Sequence, residues 1–290
     1  GLAFATTAAR RGINVTLFDA ASEIGGQFNI AKQIPGKEEF HETLRYFKKQ
    51  IELTGVTLKL DHQVSVESLT EAGFKHVVLA TGVTPRIPDI EGIEHAKVVG
   101  YLDVIRDKCK VGQTVALIGA GGIGFDVAEY LIQEGESPSL EKNKFFSEWG
   151  VDTSYSNAGG LQAEHIEKSS RKVYLLQRKV GKVGDGLGKT TGWIHRTSLK
   201  KREVEMVNGV TYHRVDDEGL HITVGEKKMT ILADTVVLCA GQESQRELQD
   251  GLVSAGCSVH LIGGAYKAEE LDAKHAIKQG TELALTFGNV

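Results

Sequence analysis

The chain has 290 residues, 41% hydrophobic and 25% charged, with a formal net charge of −4. That suits about two globular domains, at ~100–200 residues per domain, and the weak negative charge gives no signal for nucleic acid or an anionic membrane. No run reaches the ~18 apolar residues of a membrane span. Cys109, Cys239 and Cys257 form no C-x-x-C and fall short of the four thiolates of an iron–sulfur cluster, so buried, reduced thiols in a cytoplasmic protein are expected.

Apolar, β-rich runs alternate with helical patterns from end to end, the mark of an α/β fold. The opening GLAFATTAARRGINVTLFD predicts a helix over 2–11 and a strand over 13–18 that stops at Asp19. This order is the second half of a dinucleotide-binding βαβ unit. Gly1 stands as the last glycine of a phosphate turn, and Asp19 stands where an acid binds ribose hydroxyls. The chain is therefore expected to be cut from a longer protein, with its outer sheet lacking the first strand and its affinity for that unit's dinucleotide poor. Gly25-Gly26-Gln27 can bring backbone N–H groups to a second pyrophosphate. A helix is predicted over 38–54, where Phe40, Leu44, Phe47 and Ile51 keep a 3–4 spacing. Strands follow at 56–60 and 76–80, the latter running into Ala80-Thr81-Gly82, where small residues let the chain turn beside a cofactor.

TVALIGAGGIGFDVAEYL gives the best motif: a strand over 114–119, then a helix over 122–134, with Gly119, Gly121 and Gly124 as G-x-G-x-x-G between them. The first glycine permits the turn, the second lets backbone approach a pyrophosphate, and the third allows close helix–strand packing. Residues 135–170 lack periodicity and read as an insertion with one short helix, a functional loop or cover. The next strand, 172–177, ends Gln177-Arg178-Lys179. An acid there would repel a 2′-phosphate, whereas arginine and lysine attract one, so NADPH is expected over NADH. GDGLGKTTG is no P-loop, because Val183 fills the position of the required glycine. Residues 204–232 read as a meander or hairpins turning at Asn208-Gly209 and Asp217-Glu218-Gly219. A strand over 234–240 leads to the small-residue turn at Cys239-Ala240-Gly241, and a helix is predicted over 267–287. The whole reads as two nested Rossmann-like, three-layer domains. An NADP-binding domain (109–240) is inserted in a second dinucleotide-binding one (1–108 and 241–290).

SEIGGQFNIAKQIPGKEEF, IGAGGIGFDVA, LLQRK, GLGKTTGWIHRTSL, LCAGQE and VHLIGGAY together carry a resemblance. The chain resembles the C-terminal half of the bacterial NADPH-dependent 2,4-dienoyl-CoA reductases, relatives of trimethylamine dehydrogenase among the old-yellow-enzyme-like multidomain flavoproteins. The resemblance implies that this half takes hydride from NADPH onto FAD. It implies as partner an N-terminal barrel with FMN, an acyl-CoA site and a 4Fe–4S cluster, none of which this chain contains. Gly119, Ala120, Gly121, Gly122 and Ile123, with Gly241 nearby, would hold the NADPH pyrophosphate, and Arg178 and Lys179 its 2′-phosphate. For FAD, Asp19 would bind the ribose. Gly1, Gly25, Gly26 and Gln27 would approach the phosphates and flavin side, and Val64 would hold adenine through its backbone. Gly263, Gly264 and the helix start at Leu271-Asp272 would face the isoalloxazine, and Thr81 and Gly82 would turn the chain beside the FAD. Many such flavoproteins carry an acid where this chain has Gly264. No catalytic side chain and no metal ligand is implied, and His195 and His213 read as surface or satisfied core histidines. Two other readings are a vestigial, non-catalytic nucleotide holder and a stand-alone disulfide reductase, which would need a redox cysteine pair.

Overall fold

The computed structural model describes residues 1–268 and 272–288. Its strands, in chain order, are β1 (Thr16–Phe18), β2 (Thr57–Lys59), β3 (His76–Leu79), β4 (Val83–Pro85), β5 (Val98–Gly100), β6 (Thr114–Ile118), β7 (Lys172–Leu176), β8 (Glu205–Val207), β9 (Val210–Asp216), β10 (Gly219–Val224), β11 (Lys227–Ile231), β12 (Thr235–Leu238), β13 (Gln242–Ser244) and β14 (Ser258–Leu261). The helices are α1 (Leu2–Arg10), α2 (Phe28–Ala31), α3 (Phe40–Thr54), α4 (Val66–Glu71), α5 (Tyr101–Ile105), α6 (Gly122–Ile132), α7 (Lys142–Glu148), α8 (Gly192–Lys201), α9 (Gln249–Ser254) and α10 (Ala273–Thr286). Two compact units result. One comprises Gly1–Asn29, Glu39–Arg86 and Gln242–Val290, the other Ile30–Glu38 and Ile87–Gly241.

The first division thus falls at 86/87, earlier than the 108/109 expected. β5 is the reason: it pairs in parallel with β12, Val99 opposite Val237, and α5 buries Tyr101, Val104 and Ile105 in the inner core. Ile30–Glu38 joins the same unit because Ile34 is buried in that core.

The inner unit is a five-stranded parallel sheet of order β5-β12-β6-β7-β8. Its central strands are apolar on both faces, with Val115, Ala116, Leu117 and Ile118 all buried, because layers cover both sides. On one face α5, α6 and α8 supply Tyr101, Phe125, Ala128, Leu131 and Leu199. On the other, the antiparallel meander β9–β11 supplies Val210, Val215, Leu220, Ile222 and Ile231. Full burial of each larger side chain stabilises by roughly 1.5–3 kcal/mol, so this three-layer core fixes where the strand ends lie. The turn at 217–218 is a hairpin, as expected. Asn208-Gly209 is not: β8 pairs in parallel with β7, and the turn passes the chain from sheet to meander.

The 135–170 insertion is more ordered than its composition suggests. α7 ends at Glu148, whose carboxylate takes a 2.7 Å ion pair from Arg202, both side chains 9% exposed. Trp149 meets Trp193 edge-on at 6.2 Å, with the Lys201 ammonium 4.7 Å above the Trp149 ring. Asp152 closes the following loop by accepting from the Ser154 and Asn157 N–H groups at 2.9 Å.

In the outer unit β1 pairs in parallel with β2, Leu17 opposite Leu58, and β3 with β14, Val78 opposite His260. These are separate two-stranded ladders; among the described residues no strand joins them. An antiparallel ladder sets Pro85 of β4 opposite Gln242 of β13. α3 buries Leu44, Phe47 and Ile51, and Phe40 packs edge-on to Phe28 at 4.9 Å. α1 and α10 cross closely: a Cβ on Gly280 would lie 3.2 Å from the Phe4 nitrogen. α10 covers 273–286 of the predicted 267–287, and residues 269–271, including Leu271, lie outside the described residues.

Candidate dinucleotide site

β6 ends at Ile118 and the chain reverses through Gly119 at φ +111°, a conformation that favours glycine. A Cβ there would stand 2.3 Å from the Cys239 carbonyl oxygen, so the turn can lie against the end of β12 only as bare backbone. Gly124 repeats the constraint from the helix side, where a Cβ would meet the Gly119 oxygen at 1.9 Å. Gly121 caps α6 without any side-chain acceptor. The N–H groups of the first turn, with the positive end of the helix dipole, are therefore available to an anion. Ala120 is buried, Gly122 and Ile123 are half-buried, and Gly121 and Gly241 are exposed.

β7 delivers Gln177-Arg178-Lys179 to the same end of the sheet. Backbone bonds from Val210 N–H to the Gln177 carbonyl (3.0 Å) and from Gly209 N–H to the Lys179 carbonyl (3.1 Å) pin this turn to the start of β9. The Arg178 and Lys179 side chains are exposed and, among the described residues, make no hydrogen bond or ion pair. Two uncommitted cations on the strand next to β6, which feeds the helix N-terminus, suit a phosphate-bearing nucleotide.

A polar cluster that sequence reasoning missed borders the turn. Lys37 Nζ donates to both Asp126 carboxylate oxygens, at 2.6 and 2.7 Å. One turn further along α6, Glu129 Oε1 lies 2.8 Å from His195 Nδ1. The available signal was the i, i+3 spacing of two acids on an otherwise buried helix. His195 is thus a satisfied histidine, as is His213, whose Nε2 lies 2.7 Å from Thr223 Oγ1. The bond to Glu129 raises the His195 imidazole above its usual range, against desolvation. Its stabilising contribution is complete below the unfolded value of ~6.5 and is lost as pH rises through the higher folded value. Urea unfolding from about pH 6 upward should show this loss, and His195→Gln should flatten it.

In the outer unit, Asp19 follows β1, and its carboxylate accepts the Ala21 N–H at 3.0 Å, an Asx turn that leaves its second oxygen available. Gly1 caps α1 without a side-chain acceptor, close beside Ala80 at the end of β3. Gly25 and Gly26 both take positive φ, while Gln27 is exposed. Val64 packs half-buried with Leu69, Leu79 and Leu252. Thr81 donates its hydroxyl to the Gln245 carbonyl, and the Gly82 carbonyl accepts the Gln245 N–H at 3.0 Å. A Cβ on Gly264 would be 2.6 Å from Val83 Cγ1 and 3.0 Å from the Gly82 carbonyl carbon, so an acid does not fit there. Asp272 stands at the start of α10, where the resemblance placed it. Its carboxylate caps that helix by accepting the His275 N–H at 2.8 Å, so a negative charge already sits at the N-terminus intended for anionic flavin.

Thiol and metal chemistry find little footing. Burial pushes the Cys239 and Cys109 thiols up, which keeps them protonated. All three cysteines are free. Asp216, Glu218 and His221 gather ligand atoms within 4.8 Å, but His221 Nε2 is held 2.8 Å from Asp216 Oδ1 as part of the hairpin. Among the described residues no helix is long and apolar enough to cross a membrane.

Residues 1–267 match the family described as pyridine nucleotide-disulphide oxidoreductase. A metal reductase of Desulforamulus reducens is 28% identical over 288 residues, covering 95% of this chain and 41% of that protein. A cinnamate reductase of Clostridium sporogenes is 25% identical over 285 residues, covering 98% and 37%. The solved structure of a 2-naphthoyl-CoA reductase with 2-naphthoyl-CoA aligns with a TM-score of 0.81 and 25% identity over 99% of this chain and 38% of that one. The chain therefore spans about two fifths of the length of these relatives.

Proposed function

Because the chain belongs to the pyridine nucleotide-disulphide oxidoreductase family, a family of flavin- and nucleotide-dependent oxidoreductases, we propose that it is the NADPH-to-FAD input module of a 2,4-dienoyl-CoA reductase. The observation that carries this is the intact turn at Gly119–Gly124 beside an unpaired arginine and lysine. The likeness to the 2-naphthoyl-CoA reductase structure supports a CoA-thioester substrate class. Acyl-CoA reduction, in unsaturated fatty acid metabolism, falls to an FMN and 4Fe–4S barrel outside these residues, and a cytoplasmic setting suits the reduced thiols.

Bound together, the nicotinamide and flavin supply the hydride chemistry. The chain's residues bind and orient. Gly119, Ala120, Gly121, Gly122 and Ile123 cradle the pyrophosphate, Arg178 and Lys179 take the 2′-phosphate, and Gly241 leaves room beside them. Asp19, Gly25, Gly26, Gln27 and Val64 serve FAD in the outer unit, with Thr81, Gly82 and Gly264 forming small-residue walls. The missing acid at Gly264 and the Asp272 carboxylate that caps α10 favour weak FAD retention, and they are what supports the second reading, a non-catalytic nucleotide holder.

Arg178→Ala separates nucleotide selectivity from mere nucleotide binding. Hydrogen bonds to charged groups contribute ~1.5–3 kcal/mol, so titration should show NADPH bound about ten-fold more weakly and NADH unchanged. Equal weakening of both would remove the 2′-phosphate assignment. Flavin bleaching by NADPH in stopped flow, measured on the whole flavoprotein, supports the enzyme; binding without bleaching supports the holder.

A further inference from the structure

Tyr212 lies on β9 two residues beyond Val210, on the same face of the strand. Val210 belongs to the buried cluster that also holds Leu176 and Leu238, at the carboxyl ends of β7 and β12, and Tyr212 packs on that cluster. Its hydroxyl oxygen is inaccessible and has no hydrogen-bond partner among the described residues. Burial raises the phenol, and the charge that acts against this is Arg178. Arg178 itself is exposed and uncommitted, on a turn tied by backbone bonds to the start of the same strand.

A buried hydroxyl without a partner destabilises a fold, and a phenylalanine of the same shape would not carry that cost. Retaining one on the strand to which the turn of an idle guanidinium is tied suggests that the pair is completed only when ligand arrives. We propose that Tyr212 is a positioning residue for the coenzyme 2′-phosphate: its hydroxyl accepts one Arg178 N–H and holds the guanidinium so that its remaining donors face the phosphate. This rests on the NADPH reading and adds a specificity residue to it. Arg178 has five donors, enough for a bidentate phosphate contact and one bond to the phenol. The device would discriminate by 2′-phosphate alone and leave the rest of the coenzyme untouched.

The test is Tyr212→Phe in the full chain, titrated with NADPH, NADH and 2′,5′-ADP, with thermal unfolding measured without coenzyme. NADPH and 2′,5′-ADP should bind about five- to ten-fold more weakly and NADH equally well, a loss in the range of one charge-assisted bond. The ligand-free Tm should stay level or rise by about 2–4 °C as the unpaired hydroxyl is removed. In an Arg178→Ala background the same change should have no further effect on NADPH. Unchanged NADPH affinity, equal weakening of both coenzymes, or a lower ligand-free Tm would each overturn the proposal while leaving the NADPH reading in place. A parent chain that binds NADH as tightly as NADPH would overturn both.

Discussion

Gly119→Ala should abolish coenzyme binding and lower the Tm by about 10 °C. Positive φ costs a non-glycine residue ~1–3 kcal/mol. The added methyl would also stand 2.3 Å from the Cys239 carbonyl oxygen and 2.7 Å from its carbon, both backbone atoms with no rotamer to escape through. Either the turn lifts or the end of β12 shifts, for a total of roughly 3–5 kcal/mol, at ~2–4 °C per kcal/mol for a domain this size. Lifting the turn also moves the α6 N-terminus away from the phosphates it would hold. Gly122→Ala is the control. It has ordinary φ and nothing within 4 Å of an added Cβ, so thermal unfolding should show no loss. If both variants melt alike, the clash at Gly119 is not what fixes the turn.

Glu148→Ala should destabilise the inner unit by ~3–5 kcal/mol, because it strands the Arg202 guanidinium, 9% exposed, without its anion. The loss falls on the insertion first, since Glu148 closes α7 and Arg202 follows α8. Glu148→Leu with Arg202→Met should recover most of the stability, because an apolar pair of similar volume avoids the desolvation of two charges. Denaturant unfolding of the two single variants and the double gives the coupling directly. Additive losses would mean that the pair holds nothing, and that the Trp149–Trp193 contact anchors the insertion instead.

Elements buried on both faces were legible in the sequence, as was α3 by its 3–4 apolar spacing. β6, β7 and β12 are near-continuous apolar runs, and each lies within two residues of its predicted span. Gly119 and Gly124 were legible for the same reason, since a glycine between strand and helix leaves few explanations. β4 and β13 were not, because Val83-Thr84-Pro85 and Gln242-Glu243-Ser244 have no pattern of their own and pair only through tertiary position. β8 misled because Asn208-Gly209 is a hairpin signal, yet Met206 found a partner in Leu175 on a parallel neighbour. Within the candidate site, the Lys37–Asp126 pair and the Tyr212 hydroxyl depend on residues far apart in sequence, which no local spacing reveals.

The pairing of β3 with β14 dictates a timetable during translation. Residues 87–241 are contiguous and hold nearly the whole inner sheet, so that unit can condense while the ribosome is still reading the last segment. β3 waits until residues 258–261 emerge, and α1 waits longer for α10. At ~5–20 residues per second, α1 is made well before the helix it packs on and is late to find its full seat. Until then the Phe4 and Ala8 side of α1, which shares its core with Ile262 and Ala284, is an open invitation to chaperones.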